Sequence, residues 1–288
     1  MVKYNFDPEW ALMKIQCFAS NWRRQNNLPN KWVVGISGGK DSLVTAAIFA
    51  KKFGKENVIG VSIPQGDQPD IDEARDTIDL LGIKRFTVNI GSVCKNIHDQ
   101  VAENIPEGER PVDADNIIAA CTNLPARIRM STLYFVAQYL GGIVLNTSNL
   151  SETLLGYGTL YGDIAGSYAP IHDLTATEVI ALGDYMKLPE YLVHKAPADG
   201  LSGKTDEDNL GVKYADVDRY IRTGPSMVYK EVVEFIERRY QANRFKSDII
   251  NIPGVSFWEY PNYVTGFGGD IDMYEMIKEA RNARGNQN

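Results

Sequence analysis

Val33-Val34-Gly35-Ile36-Ser37-Gly38-Gly39-Lys40-Asp41-Ser42 is the stretch that decides how this chain folds. An apolar run from Trp32 to Ile36 stops at Ser-Gly-Gly, and Leu43, Ala46, Ala47 and Ala50 follow at helical spacing. The pattern predicts a strand, a tight turn and a helix. Glycine lets the backbone turn sharply and approach a ligand closely. The first N–H groups of a helix, with the helix dipole behind them, form an anion site. Ser37 and Ser42 add hydroxyl donors, and Asp41 adds a carboxylate. A carboxylate among phosphate-binding groups makes sense if it holds a cation, and Mg²⁺ is the expected one.

Two better-known glycine loops are excluded. A Walker A loop needs Gly-x-x-x-x-Gly-Lys-Ser/Thr, whereas here Lys40 follows Gly35 by five positions and Asp41 follows the lysine. The dinucleotide pattern Gly-x-Gly-x-x-Gly is absent as well. The stretch resembles instead the Ser-Gly-Gly-x-Asp-Ser pyrophosphate loop of the N-type ATP pyrophosphatases. That resemblance implies cleavage of ATP to AMP and pyrophosphate, with AMP activating a carbonyl or carboxylate.

Composition narrows the class. The 288 residues, 44% hydrophobic, suffice for one sizeable α/β core. A net charge of −7 argues against nucleic-acid binding through a basic surface. An anionic substrate must then be met by local cations and metal. Cys17, Cys94 and Cys121 lie far apart, which disfavours a disulfide framework or zinc site and fits a reduced, cytoplasmic setting. His98, His172 and His194 are too scattered for a histidine metal cluster. No run approaches transmembrane length, so no membrane partner is expected.

Along the chain, residues 8–26 read as an amphipathic helix with Pro8 near its start. After the glycine loop, Asn57–Ile63 reads as a second strand, 70–81 as a helix and Lys84–Ile90 as a third strand. This β-α-β-α-β order predicts a parallel sheet. A helix over 92–104 and a polar loop over 106–111 follow. Asp115–Leu140 is a long helical region in which Pro125 is expected to end one helix or begin the next. Gly142–Leu145 reads as a fourth strand, and Asn146–Pro170 as a long functional loop. Helices are predicted near 175–187, 206–222 and 226–246, with a lid over 196–206. An aromatic-rich tail follows Pro253, with a short helix from Ile271 to Ala283. The loops at 37–42, 63–67 and after strand four should meet at one sheet edge around a nucleotide.

Further motifs stand in series: Asn123-Leu124-Pro125-Ala126-Arg127-Ile128-Arg129-Met130, then Asn146-Thr147-Ser148-Asn149-Leu150-Ser151-Glu152, then Gly156-Tyr157-Gly158-Thr159-Leu160-Tyr161-Gly162-Asp163. Thr205-Asp206-Glu207-Asp208-Asn209-Leu210-Gly211 and Tyr214-Ala215-Asp216-Val217-Asp218 complete it. With the glycine loop, in this order and spacing, the series resembles the ammonia-dependent NAD synthetases over residues 10–250. The resemblance implies a doubly wound parallel α/β sheet of the adenine nucleotide α-hydrolase type, with helices added at both ends. It makes the chain one NAD synthetase domain, 1–288, with an extension over 251–288. The implied reaction amidates deamido-NAD with ammonia through an adenylated carboxylate, giving NAD, AMP and pyrophosphate. No segment reads as a glutaminase, so free ammonia or a separate donor protein is the expected nitrogen source.

The resemblance carries residue roles. Gly35, Ile36, Ser37, Gly38, Gly39, Lys40, Asp41, Ser42 and Thr147 match ATP contacts. Asp41 and Glu152 match Mg²⁺-binding carboxylates with a catalytic role, and Arg127 and Lys246 match groups that bind deamido-NAD. Asp163 belongs either near the reacting carboxylate or ammonia, or to bracing of its loop. Lys40 either touches phosphate or is solvated. A homodimer is implied, with the 115–140 helix offering Met130, Tyr134 and Tyr139 to the interface.

The sequence departs from the family at several polar positions. Leu160 stands where many members have lysine, Ser167 for aspartate, Ala176 for lysine, Ala198 for threonine or serine, and Phe245 for a histidine before Lys246. Each charge-assisted contact is typically worth about 1.5–3 kcal/mol. Lys195, Lys204, Arg244, Thr175 and Thr177 are the candidates to compensate. The alternatives are another adenylating amide ligase of the superfamily or a non-catalytic nucleotide-binding relative.

Overall fold

The computed structural model describes residues 5–66, 71–109, 113–196, 205–249 and 252–255. The order begins with helix α1 (Pro8–Gln25), strand β1 (Trp32–Gly35), helix α2 (Lys40–Phe53) and strand β2 (Val58–Ser62). Helix α3 (Ile71–Leu81), strand β3 (Lys84–Thr87), helix α4 (Gly91–Asn104), helix α5 (Ala114–Leu140) and strand β4 (Ile143–Leu145) follow. The C-terminal part is helical: α6 (Leu150–Leu155), α7 (Ala176–Tyr185), α8 (Glu190–Val193), α9 (Asp206–Leu210), α10 (Tyr214–Thr223) and α11 (Lys230–Ile249).

The four strands form one parallel sheet in the order β3-β2-β1-β4. Side chains alternate between its faces, as strand geometry demands. Trp32 and Val34 of β1 join Val58, Ile143 and Leu145 against α1, α2, α3 and α7. Val33 joins Ile59, Val61 and Val144 against α4 and α5 on the other face. The near-continuous apolar strands are what a sheet covered on both faces requires. Only β3, at the edge, is exposed along its length, and its Lys84 and Arg85 discourage further strand pairing.

The chain runs outward from β1 to β2 to β3, then returns through α5 to place β4 on the other side of β1. This reversal is a topological switch point. Open α/β sheets bind ligands there, beyond the carboxyl ends of the strands. The loops leaving β1 and β4 are the Ser37–Ser42 and Asn146–Glu152 motifs.

Several predicted boundaries shift. Pro125 does not divide the 115–140 region: α5 continues through it. Proline removes one backbone bond, here to the carbonyl of Cys121, and Cys121 lies on the exposed half of the helix where water can take its place. The predicted long loop after β4 contains α6, whose Asn149 and Glu152 close a capping box. The predicted 206–222 helix breaks at Gly211, which adopts φ +73 and separates α9 from α10. Residues 197–204 of the predicted lid, Ala198, Lys204 and the aromatic tail from 256 onward, with its helix over 271–283, lie outside the described residues.

Candidate active site

The turn between β1 and α2 works through what it leaves open. Gly38 takes φ +88, a conformation costly for other residues. Gly39 is the N-cap of α2, and no side chain caps that helix. Its first N–H groups therefore face the cleft as donors. Around them Gly39 N donates to Ser37 Oγ at 3.2 Å, and Ser42 Oγ donates to the Gly39 carbonyl at 3.0 Å. Lys40 is neither solvated nor turned to the open cleft. It is 4% exposed, and its Nζ donates to Asp41 Oδ2 at 2.8 Å.

The opposite wall comes from the segment after β4. Asn149 Nδ2 donates to Asp41 Oδ1 at 3.1 Å, tying α6 to the glycine loop. Glu152, Thr147 and Asp163 line the same cleft, together with Asp206 at the start of α9. Asp163 Oδ1 accepts from Thr159 N at 2.9 Å, while its carbonyl accepts from Asn146 Nδ2 at 3.0 Å. The bracing role left open for Asp163 is therefore present, and its carboxylate still reaches the cleft. The cavity has a volume of about 600 Å³, within the ~300–1,000 Å³ usual for small-molecule sites.

Lys246 and Arg127 are placed differently. Lys246 lines the cleft, but its Nζ donates to the carbonyls of Gly156 and Gly158, at 2.9 Å each. Arg127 is exposed, donates through Nε to the Leu160 carbonyl at 3.2 Å, and is outside the cleft wall. Two residues along α5, Arg129 lines the cleft instead and donates through Nε to the Ile63 carbonyl at 3.0 Å.

The family model described as NAD synthase matches residues 13–249. The chain belongs to the NAD synthase family. An NH(3)-dependent NAD(+) synthetase of Methanococcoides burtonii is 40% identical over 193 residues, covering 66% of this chain and 70% of that protein. One of Carboxydothermus hydrogenoformans is 33% identical over 238 residues, covering 81% of this chain and 94% of its own. The solved NMN synthetase of Francisella tularensis is 27% identical with a TM-score of 0.75, covering 86% of this chain and 99% of that one.

The electrostatics of this NAD synthase cleft divide into two regions. In the first, burial pushes the Glu152 pKa up, the neighbouring Asp41 charge adds to the effect, and the value reaches about 8. Burial alone would lower Lys40, but Asp41 and Glu152 outweigh it and the pKa is raised. In the second region, protein surrounds Asp163 although it meets cleft solvent, and desolvation raises its pKa. Burial lowers Arg129 and, with Arg239 nearby, Lys246.

The crowding of Asp41 and Glu152 fits a divalent cation. Two carboxylates that resist joint ionisation would both ionise around Mg²⁺. Among the described residues no group of three or more His, Cys, Asp or Glu side chains forms a metal cage. Mg²⁺ needs none, because it usually takes one or two carboxylates and completes its shell with phosphates and water.

The departures from the NAD synthase pattern sort by place. Ala176 is 2% exposed and packed in the helical cluster of α6, α10 and α11, away from the cleft wall. Leu160 contributes its carbonyl to Arg127, Ser167 Oγ lies 3.4 Å from Tyr134 Oη, and Phe245 is exposed. Of the compensating candidates, Lys195 lines the cleft and pairs with Glu73 at 2.9 Å. Thr175 is buried as the cap of α7. Sequence reasoning passed over Asn149, Arg129 and Asp206 as site residues. For Asn149 a signal existed, since Asn three residues before Glu is a capping-box pattern. Nothing local separates Arg129 from Arg127.

Proposed function

We propose that the chain amidates deamido-NAD with ammonia, using ATP, and releases NAD, AMP and pyrophosphate. Membership of the NAD synthase family supports this, and so do the NH(3)-dependent NAD(+) synthetases among its relatives. The observation that carries it at the site is the uncapped start of α2 facing Glu152 across the switch point. That arrangement combines phosphate donors with carboxylates able to hold a cation.

In this reading the triphosphate lies on the N–H groups of Gly39–Ser42, with the Ser37 and Ser42 hydroxyls beside it. Asp41 and Glu152 hold Mg²⁺, which offsets the pyrophosphate charge. A carboxylate oxygen of the nicotinate ring attacks the α-phosphorus, and the α–β bridging bond breaks. The product is a mixed anhydride with AMP, a better leaving group than oxide. Thr147 and Ile36 border the nucleotide. Ammonia attacks the activated carbonyl, the bond to AMP breaks, and one proton is lost. Asp163 is the carboxylate at that end which can hold ammonium or take the proton. Arg127 meets the part of the dinucleotide that extends beyond the cleft, and Lys246 secures the Gly156–Gly158 loop beneath it.

The same reading makes the protein a homodimer of the cytoplasm. On α5, Phe135 and Tyr139 stack with centroids 6.1 Å apart while remaining 71% and 80% exposed. Tyr134, Ile117 and Ile118 are exposed on the same helix, whereas Met130 is half-buried. So much apolar surface on one element marks an interface. No helix among the described residues is long and apolar enough to cross a membrane.

The test is product analysis by mass spectrometry with Mg²⁺-ATP, ammonium and deamido-NAD, omitting each in turn. Equal amounts of NAD, AMP and pyrophosphate are expected, and Asp41→Asn should abolish pyrophosphate release. ATP left intact by the complete mixture would refute the reading. Nicotinate mononucleotide belongs in the assay as a competing acceptor, because the solved NMN synthetase is a neighbour. Preference for it would replace deamido-NAD as the substrate.

A further inference from the structure

The two carboxylates assigned to the cation come from loops 108 residues apart in sequence as far as their link is concerned, and one buried side chain joins them. Asn149 is 0% exposed. Its Nδ2 donates to Asp41 Oδ1 at 3.1 Å. Its Oδ1 accepts from Glu152 N at 3.0 Å, and its own N donates to Glu152 Oε2 at 3.2 Å. The amide cannot be turned over: its oxygen is needed by the Glu152 N–H, so its NH₂ must face Asp41. Asp41 Oδ2 meanwhile accepts from Lys40 Nζ. Each oxygen of Asp41 therefore has one donor, and the plane of the carboxylate is set.

The helix turn that carries Asn149 is itself clamped. Ser151 Oγ donates to Asp218 Oδ1 and accepts from Ala176 N at 3.0 Å. Thr177 N donates to the other oxygen of Asp218 at 2.8 Å. Leu150 N donates to the Leu174 carbonyl at 2.8 Å. These contacts fix the start of α6 against α7 and α10, so a shift of Asn149 cannot be absorbed by moving the helix.

We infer that Asn149 is a positioning residue for the divalent cation, setting the separation and orientation of Asp41 and Glu152. This rests on the proposal that those two carboxylates hold the metal. Groups that orient metal ligands through hydrogen bonds typically change metal affinity or activity by 10–100-fold when removed. The role is distinct from helix capping, because serine and threonine also cap helices but cannot donate to Asp41 from an amide.

The experiment compares Asn149→Ser and Asn149→Thr with the parent protein. Binding of Mn²⁺ is followed by electron paramagnetic resonance with an α,β-methylene ATP analogue, which cannot be cleaved between the α and β phosphorus atoms. Thermal unfolding without metal reports on the cap. We expect Mn²⁺ affinity to fall about tenfold or more in both variants while the unfolding midpoint stays close to the parent's. Asp41→Asn and Glu152→Gln are the controls. Parent-like Mn²⁺ affinity in both Asn149 variants, with weakened binding in the controls, would overturn the role of Asn149 alone. Parent-like affinity in the controls would overturn the carboxylate site and the inference with it.

Discussion

Removing the Arg222 guanidinium should unfold this protein far more readily than any change at its surface. Arg222 and Glu178 are each 3% exposed. Arg222 Nε donates to Glu178 Oε1 at 2.7 Å, and a terminal nitrogen donates to Oε2 at 2.7 Å and to the Asp173 carbonyl at 2.8 Å. In Arg222→Met the carboxylate remains buried and keeps the Thr175 N–H, 2.9 Å away. Breaking a buried pair from one side costs about 3–5 kcal/mol. That is a large part of a typical total of about 5–15 kcal/mol. Replacing both partners is different, because no uncompensated charge is left. Arg222→Met with Glu178→Leu should recover most of the loss, less about 1 kcal/mol for the Thr175 N–H left without its acceptor. Urea denaturation at 25 °C of the parent, both single variants and the double variant measures the coupling directly. A loss below about 1 kcal/mol in Arg222→Met, or strictly additive effects, would refute the reasoning. The site should feel the change too, because Arg222 lies one turn from Asp218, the partner of Ser151.

Metal-free protein should lose stability as pH rises from about 4.5 to about 8. Glu152 holds its proton more tightly when folded than at its ordinary value, so the unfolded state ionises first. Glu152→Gln should remove that slope, leaving the variant relatively more stable at pH 8.5 than at pH 5, and thermal melts across the range would reveal an unchanged slope if this is wrong. Arg127→Ala should mainly raise the KM for deamido-NAD; steady-state kinetics showing an effect on ATP alone would contradict the assignment. Gly156→Ala should destabilise by about 1–2 kcal/mol from its left-handed backbone, at φ +62. It should lose more from a Cβ placed 2.1 Å from Asn243 Cβ, and adding Asn243→Gly should relieve only the clash, as measured by denaturation midpoints.

How much of this was legible beforehand depended on the range of the interaction. The strand–turn–helix at Val33–Ser42 could be read because its glycine spacing and its apolar periods of two and 3.6 are local. The same holds for the order of strands and helices that makes the sheet parallel, and for the family resemblance in the loop after β4. Pro125 misled because a local rule assigns it a helix end, whereas an exposed helix can lend the lost carbonyl bond to water. Glu152 was marked by motif, yet its raised pKa comes from Asp41, a neighbour only in space.

The sequence by itself determined a parallel α/β sheet, a phosphate-binding turn and the carboxylates that face it, since each is written in contiguous residues whose backbone preferences agree. The tertiary structure alone decided which side chains share the cleft. Residues on one helix two positions apart point to different sides, so only the docking of α5 on the sheet turns Arg129 inward and leaves Arg127 outside. The packing of α11 against α6 brings Lys246 onto the Gly156 and Gly158 carbonyls. The closure of β4 beside β1 sets Asn149 between two carboxylates that the chain keeps far apart.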